Sequence, residues 1–354
     1  MGKEVKVAVF MGPGKGFEIQ NIEIPEPRGR EILVKVEACT LCGSDIHTYK
    51  GRRAGAVPGA LGHEICGRIE QFGDQASRND YSQIKLKKSD RITWLLYSFE
   101  KSDPLSKKGF PQKSKTMFKY GHELITANNT FHTGFAEYIM LRPGTTIHKV
   151  GNSISSELAS TLNCGLATCF AAKRVADLKS KDSRAAVVGS GLLGLYMVAI
   201  LKQHGLDHIT AVDVDPERLN KAKSYGADEL ILFDDIEHAQ FDLVFEMSGR
   251  QEAMQKALQM LDIGGRLILV GGTYTQPDIQ LNGEQLIRNL NTITGIHNYI
   301  PDDLQNAVDF LNSCYNLYPF EGLVEKKFPL KDVDLAFEYA EENRPIRVAV
   351  CPDE

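Results

Sequence analysis

The sequence predicts an α/β protein with two domains, a mostly-β domain and a doubly wound parallel sheet. The chain has 354 residues, which is long for a single hydrophobic core. Its first part is rich in short β-type runs, such as 32–37 and 64–70, and clusters of glycine and proline separate these runs. From about residue 156, apolar strands alternate with segments of helical spacing. That alternation is typical of a parallel sheet with helices on both faces.

Composition and charge exclude several classes of function. With 42% hydrophobic and 25% charged residues, the chain is typical of a globular protein. A net charge of -5 argues against a nucleic-acid partner. No signal peptide is indicated, and the longest apolar run, 185–201, contains several glycines and is too short for a bilayer span. Seven sparse cysteines, an odd number, favour a reducing compartment, so we expect a cytoplasmic protein.

The order of elements gives predicted domain boundaries at 1–155, 156–298 and 299–354, where the last segment returns to the first domain. The first domain is interrupted at 98–119 by a charged stretch that predicts an exposed lobe. In the second domain the predicted strands are 185–189, 209–213, 229–233, 241–246, 266–271 and 292–296. The predicted helices there are 191–204, 216–225, 251–261 and 283–289. A final strand at 346–350 is expected to rejoin the first domain.

A glycine-rich turn follows the first strand of the second domain. The stretch 185–194 reads AAVVGSGLLG and fits G-x-G-x-x-G with Gly189, Gly191 and Gly194. Such glycines permit a tight turn, close approach of a pyrophosphate and close helix packing, so the pattern predicts a Rossmann dinucleotide site. Asp213 closes the next strand, where a carboxylate binds ribose hydroxyls and repels a 2′-phosphate, which favours NAD over NADP. Arg218 lies one helical turn later and could support the ribose or adenine edge. The alternative is that the glycines serve packing alone.

Two cysteines and a histidine lie close together near residue 40. Cys39-x2-Cys42-x4-His47 could be half of a structural zinc site, but such a site needs a second close cysteine pair, which the sequence lacks. A catalytic site instead gathers three ligands from distant segments and leaves one coordination position open.

Four features in order along the chain give a specific resemblance. The segments CGSDIH at 42–47 and LGHE at 61–64, then Cys164, then the glycine turn, stand in the order found in the zinc-dependent medium-chain alcohol dehydrogenase family. The chain resembles that family over essentially its whole length. The resemblance implies a GroES-like catalytic domain with an inserted Rossmann domain, NAD as cofactor, a small-molecule alcohol as substrate, and a homodimer or homotetramer.

Site residues follow from the resemblance position by position. The zinc ligands would be Cys42, His63 and Cys164, with Glu64 as an outer or exchanging ligand and Asp45 orienting a ligand. Ser44 and His47 would pass the alcohol proton to solvent. Thr168 and Arg347 match positions that contact the nicotinamide end and the pyrophosphate.

The resemblance also fails at one place. Relatives often carry a structural zinc on four cysteines in the lobe, but the lobe here has none, and that spacing falls on Glu100, Asp103, Ser106 and Ser114. Because these are poor ligands for zinc, we expect one catalytic zinc and no structural zinc. Cys39 is expected to be a buried strand thiol. His122, His132 and His148 show no pattern that distinguishes them from surface or loop residues.

Within the family, segments 40–53 and 109–123 resemble a branch associated with phosphonate metabolism. This implies an alcohol with an anionic group, such as a hydroxyalkylphosphonate, and cationic residues near the anion: Arg52, Arg53, Lys119 and His122. Solvated surface charges are the alternative explanation of these residues. A polyol or sugar-alcohol dehydrogenase, and a catalytically silent dinucleotide-binding protein, are the alternative functions.

Overall fold

The computed structural model describes residues 3–179, 182–236, 239–272 and 274–352. The chain forms two units. The first comprises Met1–Cys164, Ile300–Tyr315 and Phe320–Glu354, and the second comprises Gly165–Tyr299 and Asn316–Pro319.

The strands and helices are numbered here in chain order. The strands are β1 (Glu4–Phe10), β2 (Phe17–Glu23), β3 (Ile32–Thr40), β4 (Glu64–Phe72), β5 (Arg91–Ser98), β6 (Phe118–Lys119), β7 (Tyr138–Leu141), β8 (Thr145–Lys149), β9 (Arg184–Val188), β10 (His208–Asp213), β11 (Glu229–Leu232), β12 (Phe241–Glu246), β13 (Leu261–Leu269), β14 (Thr292–Gly295), β15 (Val324–Pro329) and β16 (Arg347–Cys351). The helices are α1 (Gly43–Tyr49), α2 (Pro104–Lys107), α3 (Ser156–Ser160), α4 (Ala167–Ala176), α5 (Leu192–His204), α6 (Pro216–Ser224), α7 (Gln251–Gln259), α8 (Gly283–Arg288), α9 (Pro301–Cys314) and α10 (Val333–Asn343). One π-helical turn, Leu162–Leu166, lies between α3 and α4.

A mixed sheet forms the centre of the first unit. Its order is β15-β16-β3-β4-β5-β6, with β7 also paired to β3 and β8 to β5. The core beside this sheet includes the fully buried rings of Trp94, Phe135 and Phe337. The predicted return strand is confirmed, since β16 pairs antiparallel with β3 through Val350 and Cys39. Helix α3 packs against β3 and β4, which places it in the first unit although the predicted boundary lies before it.

The second unit contains a parallel six-stranded sheet in the order β11-β10-β9-β12-β13-β14. This is the doubly wound dinucleotide-binding order, which reverses direction between β9 and β12 and leaves a crevice at their carboxyl ends. The predicted strands and helices all form, with ends shifted by a few residues. The largest shift is at β13, which begins at Leu261 because that residue pairs with Phe241 ahead of a register irregularity.

Hydrogen bonds organise the lobe predicted at 98–119. It contains α2 and ends in β6, which pairs with β5. Asp103 caps α2 by accepting from the backbone N–H groups of Leu105 (2.8 Å) and Ser106 (3.3 Å), and it also accepts from that of Lys115 (3.2 Å).

Two histidines without a distinguishing sequence pattern are buried rather than on the surface, although His132 lies in a turn. His132 is 2% exposed and His148 is fully buried. Burial lowers the pKa of each imidazole to about 4. Neutral imidazole rings therefore belong to the core of this unit.

Helices of the described segments are all too short or too polar to span a membrane.

Candidate metal centre and nucleotide site

Four predicted site residues meet in the first unit. The ligating atoms of Cys42, His63, Glu64 and Cys164 all lie within 4.8 Å of one another. Among the described residues, this is the group of histidine, cysteine, aspartate and glutamate side chains that lie close enough together to hold a metal ion. Two sulfurs and an imidazole, with a carboxylate beside them, suit zinc. Cys39 is not part of the group and is fully buried in β3, as predicted.

Local structure brings these ligands together from three segments. Cys42 caps the N-terminus of α1, His63 and Glu64 lie at the start of β4, and Cys164 lies within the π turn Leu162–Leu166. Single π turns often occur at functional sites because the extra residue redirects a side chain. Asn163 joins the segments, since its amide donates to the His63 carbonyl (3.0 Å) and accepts from the Ile65 N–H (3.1 Å). The sequence offered no signal for Asn163 beyond its position next to a ligand.

Asp45 orients His63, as the resemblance implied. This carboxylate is 1% exposed, and its Oδ1 lies 3.2 Å from His63 Nδ1. The backbone N–H groups of Gly62 and Cys42 each donate to Asp45 at 3.2 Å. With Nδ1–H donated to Asp45, the other ring nitrogen, Nε2, is left for a metal.

Glu64 is held by a cation from the returning C-terminal segment. Arg347 donates from Nε (3.1 Å) and Nη2 (3.2 Å) to the two oxygens of the fully buried Glu64, and the Thr40 hydroxyl donates at 2.7 Å. Burial raises the pKa of Glu64 to about 7 although Arg347 opposes the shift. Arg347 is thus placed at the metal centre, and its predicted contact with a pyrophosphate stays a prediction. Thr40 was not predicted from the sequence.

Protons are unevenly shared among the ligands. A hydrogen bond from Cys164 holds the pKa of the Cys42 thiol well below its usual range, and the same contact raises the pKa of Cys164. Burial opposes protonation of His63, but Asp45 and the Cys42 thiolate raise its pKa to about 10. A cluster that gathers this much negative charge fits a divalent cation, which would replace the protons.

The two predicted relay residues lie on α1. Ser44 is buried and His47 is half-buried. Arg52 Nε donates to His47 Nδ1 at 3.0 Å, and its Nη1 and Nη2 donate to the carboxylate oxygens of Glu341 at 2.7 and 2.8 Å. Arg52 is thus bound to Glu341 and His47, and its predicted role as an anion ligand stays a prediction. Glu341 lies in α10 and was not predicted.

A cavity of about 220 Å³ lies beside the centre in the same unit, and its lining includes Asp45, Thr48, Arg53, Leu61 and His122. The His122 ring lies 4.8 Å from the His63 ring, centroid to centroid. His122 Nδ1 lies 2.9 Å from the Tyr120 carbonyl, to which it must donate, so its Nε2 is an acceptor.

Two cations, Arg53 and Lys119, lie near this cavity, where Asp45 is the acidic side chain in the lining. Burial, and next the charge of Arg53, lower the pKa of Lys119 to about 8. Within the described segments, neither Lys119 nor Arg53 has a carboxylate ion pair. A larger cavity of about 380 Å³ in the second unit is lined by leucines and side-chain amides, with no titratable group, and offers no comparable chemistry.

The glycine turn in the second unit has the form of a phosphate site. Gly189 follows β9 with φ +100°, and a Cβ on Gly194 would lie 1.8 Å from the Gly189 carbonyl oxygen. A Cβ on Gly191, at the N-terminus of α5, would meet only Arg218 Nη1 at 4.0 Å. The turn therefore needs glycine at two positions and leaves open space at the third, where a phosphate can approach the helix N-terminus.

Asp213 lies at the end of β10, next to this turn. Its carboxylate accepts from the backbone N–H groups of Ser190 (2.6 Å) and Asp215 (3.0 Å), and it is 8% exposed. Arg218 Nε lies 3.8 Å from the Asp215 carboxylate. Because the backbone N–H of Asp215 itself donates to Asp213, this contact holds Arg218 near the glycine turn. Thr168 is half-buried in the first turn of α4, and its predicted role stays a prediction.

Comparisons with known proteins agree with this geometry. Residues 28–152 match the family described as the alcohol dehydrogenase GroES-like domain, and residues 193–313 match the family described as zinc-binding dehydrogenase. The chain is 26% identical over 360 residues to a sorbitol dehydrogenase of Halalkalibacterium halodurans, covering 98% of this chain and 99% of the relative. It is 27% identical over 367 residues to a D-arabitol-phosphate dehydrogenase of Enterococcus avium, covering 99% and 98%.

Among solved structures, an alcohol dehydrogenase of Thermotoga maritima superposes with a TM-score of 0.90 at 22% identity, covering 99% of this chain and 100% of that one. This likeness shows a shared fold. The predicted fold class, a GroES-like domain with a Rossmann-type domain, is confirmed.

Proposed function

Because the chain belongs to the zinc-dependent medium-chain alcohol and polyol dehydrogenase family, we propose that it oxidises a small functionalised alcohol with NAD, using one zinc per chain. The observation that supports this most strongly is the group of Cys42, His63, Glu64 and Cys164 in a chain that also carries a dinucleotide-type glycine turn. A catalytically silent nucleotide-binding protein would have no use for this ligand set.

The chain's own residues have separate roles in the proposed reaction. Cys42, His63 and Cys164 would hold the metal, and Asp45 fixes the ring of His63. When bound, zinc supplies a Lewis acid that lowers the pKa of an alcohol, and NAD supplies the hydride acceptor. Ser44 and His47 would receive the alcohol proton and release it to solvent.

The Rossmann-type unit would bind the cofactor. The open space at Gly191 admits a pyrophosphate, and the Asp213 carboxylate can accept from ribose hydroxyls and repel a 2′-phosphate. NAD is therefore preferred over NADP in this proposal. A cytoplasmic homodimer or homotetramer is proposed as well, and the seven unbridged cysteines support a reducing compartment.

The substrate proposed first is an alcohol with an anionic group, such as a short hydroxyalkylphosphonate. Arg53 and Lys119 support it, since they lie near the cavity, form no carboxylate ion pair within the described segments, and would be stabilised by an anion. The cavity of about 220 Å³ beside the centre has room for a small molecule. One relative is named for a phosphorylated polyol.

A neutral polyol or sugar alcohol is the second candidate, and it is favoured by the relative named as a sorbitol dehydrogenase. His122 Nε2, an acceptor beside the cavity, could bind a hydroxyl group of either substrate.

A substrate panel on zinc-quantified protein tests the proposal. Hydroxyalkylphosphonates, polyol phosphates, sorbitol, D-arabitol and neutral short alcohols are each supplied with NAD or NADP, and reduction of the cofactor is followed. We expect NAD-dependent oxidation of the anionic alcohols, and at least about a tenfold loss of kcat/KM for them in Arg53→Gln and Lys119→Gln.

The same variants should leave neutral alcohols nearly unaffected, which is the internal control. Equal effects on neutral and anionic alcohols, or better turnover of sorbitol, would favour the polyol candidate. Zinc-loaded protein that oxidises none of these alcohols would contradict the proposed function itself.

A further inference from the structure

We propose that Arg52, clamped by Glu341, is a positioning residue that controls when His47 accepts a proton. The role of His47 as a relay rests on the proposed function. The contacts that define the clamp do not, because they are properties of the first unit alone: one bond from Arg52 Nε to His47 and two from its Nη atoms to Glu341.

The hydrogen bond fixes the state of the imidazole ring. A guanidinium can only donate, so His47 Nδ1 must present its lone pair to Arg52 Nε at 3.0 Å. The neutral ring therefore carries its proton on Nε2. In this arrangement the Nδ1 lone pair, one of the two positions at which a histidine can take up a proton, is occupied.

Glu341 determines how strongly Arg52 acts on His47. Its two oxygens receive parallel hydrogen bonds from Nη1 and Nη2, a bidentate geometry that holds the guanidinium plane in place. Arg52 holds the pKa of the Glu341 carboxyl below its usual range, mainly through this hydrogen bond. The carboxylate offsets the positive charge that His47 faces. Helix α10, which packs against α1, thus contributes directly to the environment of the relay.

Protonation of His47 at Nδ1 must break its bond to Arg52. The new N–H would face another donor, so Arg52 Nε withdraws while Nη1 and Nη2 stay on Glu341. When the imidazolium gives this proton to water, the bond to Arg52 can form again. The clamp therefore disfavours a charged His47 and favours release of the proton to solvent.

Other charged side chains, on α10 and just after α1, also affect the pKa of His47, some lowering it and some raising it. Lys50 and Arg53 lie on the same segment and add positive charge. From α10, Glu338 and Glu341 add negative charge, and Asp334 is bonded to the Tyr49 hydroxyl at 2.8 Å. Protonation of His47 at Nδ1 must break the hydrogen bond from Arg52 Nε, so Arg52 opposes it directly.

The clamp predicts opposite effects for its two members. Arg52→Gln removes a positive charge and a competing donor, so the pKa of His47 rises. Glu341→Gln removes the offsetting negative charge, so the pKa of His47 falls. The groups are partly exposed, so each shift is expected to be about 0.5 to 1 pH unit.

Two measurements on zinc-loaded protein test this. The acid limb of the pH profile of kcat/KM should move to higher pH in Arg52→Gln and to lower pH in Glu341→Gln. The pKa of His47, followed by NMR of its ring protons and assigned with His47→Gln, should move in the same directions. Glu342→Gln, which removes a neighbouring exposed charge on α10, is the matched control and should shift neither quantity by more than about 0.2 unit.

Shifts of the same sign in both variants, or no NMR shift in either, would overturn the clamp. The NMR titration needs no turnover, so it separates the two ideas: an inactive protein with opposite shifts refutes the proposed function and supports the clamp. An active protein with unmoved NMR titrations refutes the clamp alone.

Discussion

Asp45 shows how much one side chain does in the metal centre. It contacts His63 Nδ1 and accepts from the backbone N–H groups of Gly62 and Cys42, and no part of it is appreciably exposed. A buried carboxylate in this position orients the imidazole and increases its basicity toward a metal.

Asp45→Asn is expected to lower zinc affinity by about 10- to 100-fold, because the amide cannot accept from both Cys42 and Gly62 and lacks the charge. Competition with a chelator of known affinity measures the change. Asp74→Asn, an exchange at an exposed turn, should leave zinc affinity unaltered. If zinc affinity is unaltered in Asp45→Asn, the role of Asp45 is only to accept hydrogen bonds from backbone N–H groups.

Asp213 is expected to determine the choice of dinucleotide. Its charge lies next to the turn at Gly189–Gly194, so Asp213→Asn should lower the ratio of kcat/KM for NAD to that for NADP by at least about tenfold, the worth of one charged hydrogen bond. Steady-state kinetics with both cofactors measures this ratio. Asp215→Asn removes the same charge two residues later and serves as control, and an equal change in that variant would assign the effect to general charge.

Single residues differed in how well the sequence predicted them. The metal ligands could be predicted, because cysteine and histidine at the spacing of Cys42, His63 and Cys164 have few roles other than metal binding. Asn163 and Thr40 could not, since polar side chains next to a ligand have many ordinary roles. The contacts of Arg52 could not be predicted, because the sequence shows its charge but not its partner, which lies 289 positions away in Glu341.

At the level of elements, the π turn Leu162–Leu166 explains the position of Cys164. Because π and α turns share their composition, the extra residue left no sequence signal. The strands and helices of the second unit were predicted well because their buried runs and polar breaks alternate strongly. In the first unit, β6 and α2 are too short for periodicity to indicate them.

The lobe is expected to fold without a metal. Asp103 accepts hydrogen bonds from Leu105, Ser106 and Lys115 and so connects the two halves of the lobe. A structural zinc would connect them in the same way. Metal analysis should return one zinc per chain in both the natural protein and Asp103→Ala. In the variant, amide hydrogen exchange of Leu105 and Ser106 should become faster.

Glu100→Ala provides the matched control for the lobe, since the exposed Glu100 side chain accepts a long hydrogen bond from the Ser102 hydroxyl, at 3.4 Å. Its exchange rates should resemble those of the natural protein. Two zincs per folded chain, or unchanged exchange in Asp103→Ala, would contradict a metal-free lobe held by Asp103.

At the level of the whole molecule, buried histidines make stability depend on pH. His148 Nδ1 lies 3.0 Å from Gln305 Oε1, and burial lowers its pKa to about 4. An unfolded histidine has a pKa near 6.5, so below that pH the unfolded chain binds a proton that the folded chain does not. Stability must therefore fall as pH decreases from about 6.5 toward 4.

For His148 alone, the free energy of unfolding should drop by about 2 kcal/mol between pH 7.5 and 5. In His148→Gln this part of the loss should disappear, which urea unfolding at the two pH values measures. His204→Gln, at an exposed position on α5, should retain nearly the full loss. A pH dependence in His148→Gln as steep as in the natural protein would contradict this. It would show that protonation of His148 does not reduce the free energy of unfolding.

The contact between Arg347 and Glu64 has a consequence for synthesis of the protein. Glu64 is made early, but the arginine that neutralises it arrives only after the entire second unit, 283 positions later, and on a strand that pairs with β3. Domains generally fold as soon as they are complete, so the second unit can fold on the ribosome before the first. Until β16 emerges, the nascent first unit has an unpaired carboxylate and an open sheet edge at β3. In that interval chaperone binding matters most, and binding of a wrong metal ion does the most damage. Translation stalled within β16 should release chains with an intact nucleotide fold and no functional metal centre.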